Sequence, residues 1–417
     1  MPLTDREQRV LDNVDADALV ATVSELVAIR SLSGEESPAQ EYVASFLDAA
    51  GIDVDVWEID LAALSKHPHF SAEVERTRAL GVVGATGRGD GPSLLLNGHV
   101  DVVPAGDPGD WTYPPWTPTV TADRIFGRGA VDMKGGLTCG MHALKAIVDA
   151  GAELTGRLML ASVVGEEDGG SGTLAMLEHG VHSDAAVVME PTGLTLAPAQ
   201  AGALSFRITV RGLSAHGATR SEGISAIEKF APIHQALLAL EQRRNTGVVN
   251  PAFAHLDRPF ALCVGRLEAG DWPSSEADWL RAEGRYGVGP GEELDAARRE
   301  LEDAVADVAS GDRWLCDHPP TVEWVGGQFH PAEIPNDHEL VRLVADAHAV
   351  VDGSRPPLHG MPYGSDMGKL VPVGGIPTVI YGPGDVRVAH RPDEYVPIDQ
   401  LLSCTRVLAL AGLRFCG

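Results

Sequence analysis

Apolar positions recur at helical spacing over residues 17–29 and 38–50, and Gly51 ends the second run as a helix stop. Four short apolar runs, 94–96, 158–164, 185–189 and 378–381, have the length and residue types of buried strands. Between them, 137–149 returns to helical spacing, with Leu137, Met141, Leu144 and Val148 on one face. Strands alternating with helices in this way predict an α/β domain with a largely parallel sheet.

The middle of the chain has another rhythm. Residues 204–211 (LSFRITVR) alternate like a half-exposed strand. A helix is expected over 223–243, strands over 260–267 and 280–288, and a charged helix over 292–309. Strand, helix, strand, strand, helix predicts a compact α+β insert with an antiparallel sheet, placed at 203–317. The chain is then expected to return to the first domain with a strand at 321–325 and a helix at 337–350. The expected organisation is therefore a first domain in two parts, 1–202 and 318–417, interrupted by the insert. No internal repeat or low-complexity segment is visible.

Composition adds limits. A chain of 417 residues is long for a single core, and 44% hydrophobic with 22% charged residues is ordinary for a globular protein. No apolar run approaches the roughly 20 residues a membrane span needs, and residues 1–15 are too polar and acidic for a secretory leader. Lys and Arg total 32 against 59 Asp and Glu, a formal net charge of -27. A surface this acidic repels nucleic acid and anionic membranes, so neither is an expected partner. It reads first as a solvated surface, salt adaptation included, and second as a field that steers cationic substrates. Cys139, Cys263, Cys316, Cys404 and Cys416 are odd in number, widely spaced and without a C-x-x-C pair. That pattern argues against a disulfide framework and a thiolate zinc site, and fits a reducing, cytoplasmic compartment.

Five segments carry candidate chemistry. In NGHVDVVP (97–104) the strand 94–96 runs into His99 and Asp101, two apart and so on one side, where Asp101 can orient the His99 imidazole. A plain His and Asp at a strand end is the alternative. In GRGAVDMKGG (127–136) Asp132 precedes two glycines and a helix, and either caps that helix or reaches a metal. The strand 158–164 delivers Glu166 and Glu167 as adjacent carboxylates, whose side chains diverge in extended backbone. One can bind metal while the other works on water, or both are solvated loop charges. Glu190 follows the apolar run 185–189, where a lone carboxylate is costly unless paired or metal-bound. His390 lies in GDVRVAHRPDEYVP (384–397), beyond the strand 378–381 and a Gly/Pro-rich loop. Each signal has a bland reading, but they share a place: ligands collect at the carboxyl ends of strands in open α/β sheets. Two imidazoles and three carboxylates suit two ions of zinc type, with one carboxylate shared.

The order H-x-D, D-M-K-G-G, E-E, E-P-T and a late A-H-R-P-D-E resembles the family of acetylornithine deacetylase, succinyl-diaminopimelate desuccinylase and glutamate carboxypeptidase, dinuclear zinc amidohydrolases, and the resemblance covers nearly the whole chain. It implies a catalytic domain of zinc-peptidase type, with a mixed, largely parallel sheet flanked by helices, and an inserted α+β lid or dimerisation domain. It implies two divalent ions per subunit, zinc first and cobalt or manganese as alternatives. Asp132 would bridge them, with a cis peptide to Met133; His99 and Glu190 would complete one site, Glu167 and His390 the other. Glu166 would be the general base, Asp101 would orient His99, and His216, in S-A-H-G, would stabilise the oxyanion, often across a homodimer. Arg285 resembles a lid arginine for substrate carboxylates, with a surface ion pair as its alternative reading. Gly364, Ser365 and Asp366, in HGMPYGSDMG (359–368), would line the substrate pocket. Many relatives carry a lid asparagine where this chain reads AGDWPSSEAD (269–278), so no substrate-binding asparagine is transferred. The implied activity is deacylation of a small-molecule N-acyl amino acid or N-acyl amine, with a metallo-dipeptidase or carboxypeptidase as the alternative and a non-catalytic binding protein as the remote one.

Overall fold

The computed structural model describes residues 3–417. The chain divides into two compact units, one built from residues up to Ala199 with Glu333–Gly360 and Ser365–Gly417, the other from Gln200–Ala332 and Met361–Gly364.

The first unit is built on a six-stranded sheet in the order Asp53–Glu58, Leu80–Thr86, Arg157–Val163, Ser93–His99, Ala185–Val188, Thr378–Ile380. The first two strands pair antiparallel and the last four run parallel, so the sheet is mixed. Its central strands are buried along almost their whole length, as strands covered by helices on both faces must be. The helices Gly135–Asp149 and Ile398–Cys416 pack on one another and on strand Ser93–His99. Leu94, Leu96, Leu137, Leu144, Leu158, Val187 and Leu408 are fully buried in this core. The four apolar runs and the helix at 137–149 are therefore where the pattern places them. The strands Asp53–Glu58 and Leu80–Thr86 and the helix Asp5–Asp12, opened by a Thr4–Glu7 capping box, are additions.

The second unit is a four-stranded antiparallel sheet in the order Leu262–Ala269, Trp279–Val288, Gly202–Arg211, Thr321–Phe329. The helices Ala226–Asn245 and Leu294–Ser310 pack on each other, and they share a separate core with Leu204, Phe206, Ile208 and Val210 from the central strand. The expected return to the first domain at 318 is corrected here. Thr321 pairs with Thr209 and Val322 with Ile208, so this strand extends the insert's own sheet and the unit runs to Ala332. Alternation shows that a strand is half-buried but not which neighbour it joins. Among the described residues, no helix is long and apolar enough to cross a membrane.

Candidate metal centre

Parallel strands deliver most of the site from one direction. Strand Ser93–His99 lies between Arg157–Val163 and Ala185–Val188 and runs parallel to both. His99 ends its strand, Glu166 and Glu167 follow Arg157–Val163, and Glu190 follows Ala185–Val188 across Met189. Asp132 comes from the kinked turn before helix Gly135–Asp149, and the Asp132–Met133 peptide is cis. Gly136 lets this turn approach the Glu190 strand. A Cβ at Gly136 would lie 2.0 Å from the Met189 carbonyl oxygen, so any side chain there would push Asp132 away from Glu190. His390 arrives on a loop in which it and Asp393 adopt left-handed φ of 58° and 57°, a conformation rare for residues with a Cβ and concentrated at functional sites.

The six groups meet. His99 Nε2 lies 3.3 Å from Asp132 Oδ1, 3.6 Å from Glu190 Oε1 and 3.8 Å from Glu166 Oε2. His390 Nε2 lies 3.2 Å from Asp132 Oδ2 and 3.1 Å from Glu167 Oε1. The two carboxylate oxygens of Asp132 thus face different imidazoles. Two groups have ligand atoms within 4.8 Å of one another: His99, Asp132 and Glu167; and His99, Glu166 and Glu190.

Burial dominates the electrostatics. It pushes the Glu166 and Glu190 carboxyls well above their ordinary range, helped by the charge of Glu190 on Glu166 and of Asp132 on Glu190. Glu167 is raised by burial and by Asp132. Burial also opposes charge on Asp132, but His390 and His99 outweigh it and hold that carboxyl low. Both imidazoles resist burial in the same way: Asp132 lifts His99 well above its ordinary value, and Asp132 with Glu167 lifts His390 to about 11. His99 Nε2 and Glu190 Oε1 are buried without a hydrogen-bond partner. Four carboxylates against two imidazoles, with orphaned lone pairs among them, form a donor set that fits divalent cations of zinc type.

The surrounding shell holds one correction. The Asp101 carboxylate was expected to orient His99. Instead the Asp101 backbone carbonyl takes the His99 Nδ1 hydrogen at 2.9 Å, which leaves the Nε2 lone pair for the cluster. The Asp101 carboxylate, 3.7 Å from Nδ1, accepts the backbone N–H groups of Glu166 and Glu167 at 3.2 and 3.1 Å. Strand period places Asp101 on the right side but does not say whether main chain or side chain meets the ring.

Other supports carry no sequence signal strong enough to single them out. Glu394, fully buried, accepts Val131 N at 3.0 Å and Asp132 N at 3.2 Å, and pairs with buried Arg128. Burial pushes its carboxyl up to about 7 against the opposing charge of Arg128. The Lys134 amine donates to the carbonyls of Leu26 and Ile29 at 3.0 and 2.7 Å, at the end of helix Ala16–Ala28, and burial brings it down to about 7. Both residues sit inside motifs the sequence offers, D-M-K and R-P-D-E, so proximity to Asp132 and His390 was the available clue.

The expected substrate residues are distributed between the units. Ser365 and Asp366 are buried in the first unit; burial raises the Asp366 carboxyl to about 6, and its charge adds to the upward push on Glu166. Gly364 belongs to the second unit, where a Cβ would lie 2.3 Å from Phe329 Cβ. His216, also in the second unit, is exposed and caps a short turn, its Nδ1 accepting Ala218 N at 3.1 Å. Arg285, on strand Trp279–Val288, donates to the Pro362 carbonyl at 2.8 Å. Its alternative reading as a surface ion pair is not seen: among the described residues no carboxylate lies in ion-pair reach of it, and burial lowers its basicity.

Known proteins resemble this chain in sequence and in fold. The N-formyl-4-amino-5-aminomethyl-2-methylpyrimidine deformylase of Bacillus subtilis (strain 168) is 32% identical over 396 residues, covering 91% of this chain and 89% of its own. An acetylornithine deacetylase of Myxococcus xanthus is 30% identical over 413 residues, covering 96% of this chain and 98% of its own. A tripeptidase structure from Staphylococcus aureus matches with a TM-score of 0.74 at 22% identity, covering 96% of this chain and 98% of that one, which speaks to the fold alone. The sequence model described as peptidase family M20/M25/M40 matches residues 95–413, a span that includes every group of the cluster from His99 to His390, and the chain belongs to that family.

Proposed function

We propose that this family member is a hydrolase of linear amide bonds that uses two divalent metal ions to remove the acyl group from an N-acyl amino acid or N-acyl amine. The observation that carries the reading is Asp132, whose Oδ1 stands 3.3 Å from His99 Nε2 and whose Oδ2 stands 3.2 Å from His390 Nε2. Asp132 is then the shared ligand, with His99 and Glu190 on one side and Glu167 and His390 on the other. Such ions, zinc first and cobalt or manganese as alternatives, lower the pKa of bound water and polarise the substrate carbonyl.

The chain's own residues supply the rest. Glu166 stands beside the ligand set, and burial with neighbouring charge gives it a raised proton affinity. It takes a proton from the attacking water and returns it to the departing amine. Asp101 holds this turn by its amides. His216 stabilises the oxyanion, Arg285 receives a substrate carboxylate, and Gly364, Ser365 and Asp366 line the substrate side. A homodimer through the inserted unit belongs to the same reading. The names of the deformylase and deacetylase relatives support a small acyl group.

The test is a panel of N-formyl, N-acetyl and N-succinyl amides beside dipeptides, offered to the zinc- or cobalt-loaded protein. Turnover of the N-acyl compounds is expected, with Glu166→Gln retaining two metals per chain and losing about 100-fold or more in kcat. Full activity in Glu166→Gln overturns the assigned base. Preference for dipeptides moves the protein to the peptidase reading.

A further inference from the structure

The turn carrying Glu166 and Glu167 is bent by glycines. Gly165, Gly169 and Gly170 adopt φ of 66°, 134° and 74°, so this backbone has little stiffness of its own. Asp168 holds it. Its Oδ1 and Oδ2 accept Nη2 and Nη1 of Arg76 at 2.9 Å each, fork to fork, and Oδ2 also accepts Val74 N at 3.0 Å and Glu73 N at 3.2 Å. Arg76 turns Nε and Nη2 to Glu36 Oε1 at 2.9 and 2.8 Å, and Glu36 accepts Gly34 N at 2.8 Å. The three side chains are only 3%, 4% and 1% exposed for Arg76, Asp168 and Glu36. A Cβ on Gly165 would lie 2.8 Å from Arg76 Nη2, so the guanidinium lies against the backbone where the turn begins.

We propose that Arg76 is a positioning residue of the hydrolytic centre: by clamping Asp168 it sets where Glu167 and Glu166 stand against His99 and Asp132. This rests on reading Glu167 as a metal ligand and Glu166 as the base. Two buried carboxylates, Asp168 and Glu36, share this one cation, and the Asp101 carboxylate holds the same turn by its amides. Without Arg76 the two buried carboxylates lose the one cation that binds them, and the turn loses its tie to Glu36. Lysine keeps the charge but has one nitrogen where the fork uses three, and it cannot serve Asp168 bidentately while reaching Glu36. Arg76→Lys therefore separates the fork from the charge.

The experiment is a cobalt titration of the full chain, read by calorimetry and by the visible cobalt spectrum, beside kcat and KM on the best N-acyl substrate. Arg76→Lys, Arg76→Gln, Asp168→Asn and the double variant Arg76→Gln/Asp168→Asn are compared with the parent. The parent is expected to take up two cobalt ions. Arg76→Lys and Asp168→Asn should bind one of them unchanged and the other about 10–100-fold more weakly, with kcat falling over the same range and KM within about twofold. The double variant should lose no more than Arg76→Gln alone, because Asp168 acts through its contact with Arg76, whereas Arg76 also serves Glu36. Should Arg76→Gln fail to fold, Arg76→Lys and Asp168→Asn carry the test. Unchanged cobalt binding in those two variants, or a double-variant loss equal to the product of the singles, overturns the clamp. A parent that takes up no cobalt overturns the metal reading itself, which is a different result.

Discussion

Replacing Glu394 by glutamine changes one buried charge and almost no volume. Glu394 is 0% exposed and its partner Arg128 only 2%. The glutamine carbonyl can still accept the N–H groups of Val131 and Asp132, but its NH2 group then faces the Arg128 guanidinium, donor against donor. Arg128 keeps its stacking on Trp111, with the guanidinium 5.2 Å from the ring centroid, and loses its only salt bridge among the described residues. Removing one partner of a buried pair costs about 3–5 kcal/mol, mostly for the charge left behind. For a unit of this size that is a fall in Tm on the order of 10 °C. Adding Arg128→Met removes the stranded charge, so the double variant should recover most of the loss. Thermal and urea unfolding of the parent, both singles and the double read this directly. A Glu394→Gln variant as stable as the parent, or a double variant no better than Glu394→Gln, refutes the reasoning. The functional counterpart is Glu394→Ala, which deletes the acceptor for Asp132 N–H and should weaken cobalt binding about 10–100-fold where Glu394→Gln does not.

Two further outcomes are expected. Burial, with the charge of Lys145, lowers the His142 imidazole from 6.5 to about 4, where its Nε2 meets Thr22 Oγ1 at 2.9 Å. The unfolded chain therefore takes this proton near pH 6.5 and the folded chain only near pH 4, so stability falls as pH drops through that window, by about 3 kcal/mol at its foot. His142→Leu should flatten this part of the stability-pH curve, and an unchanged curve would show that His142 is not its source. Zinc or cobalt at 100 times its dissociation constant should raise the unfolding free energy by about 2.7 kcal/mol, reversed by a chelator; a Tm indifferent to both would leave the cluster without a cation.

The legible parts of this protein are those that local pattern controls. The apolar runs ending at Leu96, Val164 and Met189 mark buried strands, and strand ends are where His99, Glu167 and Glu190 meet. Pattern did not separate Thr321–Phe329 from the first domain's strands, since both sheets accept the same alternation and only the pairing with Gly202–Arg211 decides. The Arg76 clamp was invisible for a related reason. Arg76 lies 92 positions from Asp168 and 40 from Glu36, in a stretch with no motif, and nothing local marks a charged residue as one that will be buried. Asp101 was legible as a partner of His99 but not in which of its atoms does the work.

The Asp132 cradle closes only when distant parts of the polypeptide arrive together. Glu167 and His390 face each other across 223 positions of sequence. During synthesis, a ribosome that has released His99, Asp132, Glu167 and Glu190 has made all of the cradle but His390, and the insert must be completed before that imidazole exists. Metal uptake by this arrangement would thus be a late event in the life of a nascent chain. Truncated products that end before His390, however well they fold, would leave Asp132 and Glu167 without the imidazole that faces them.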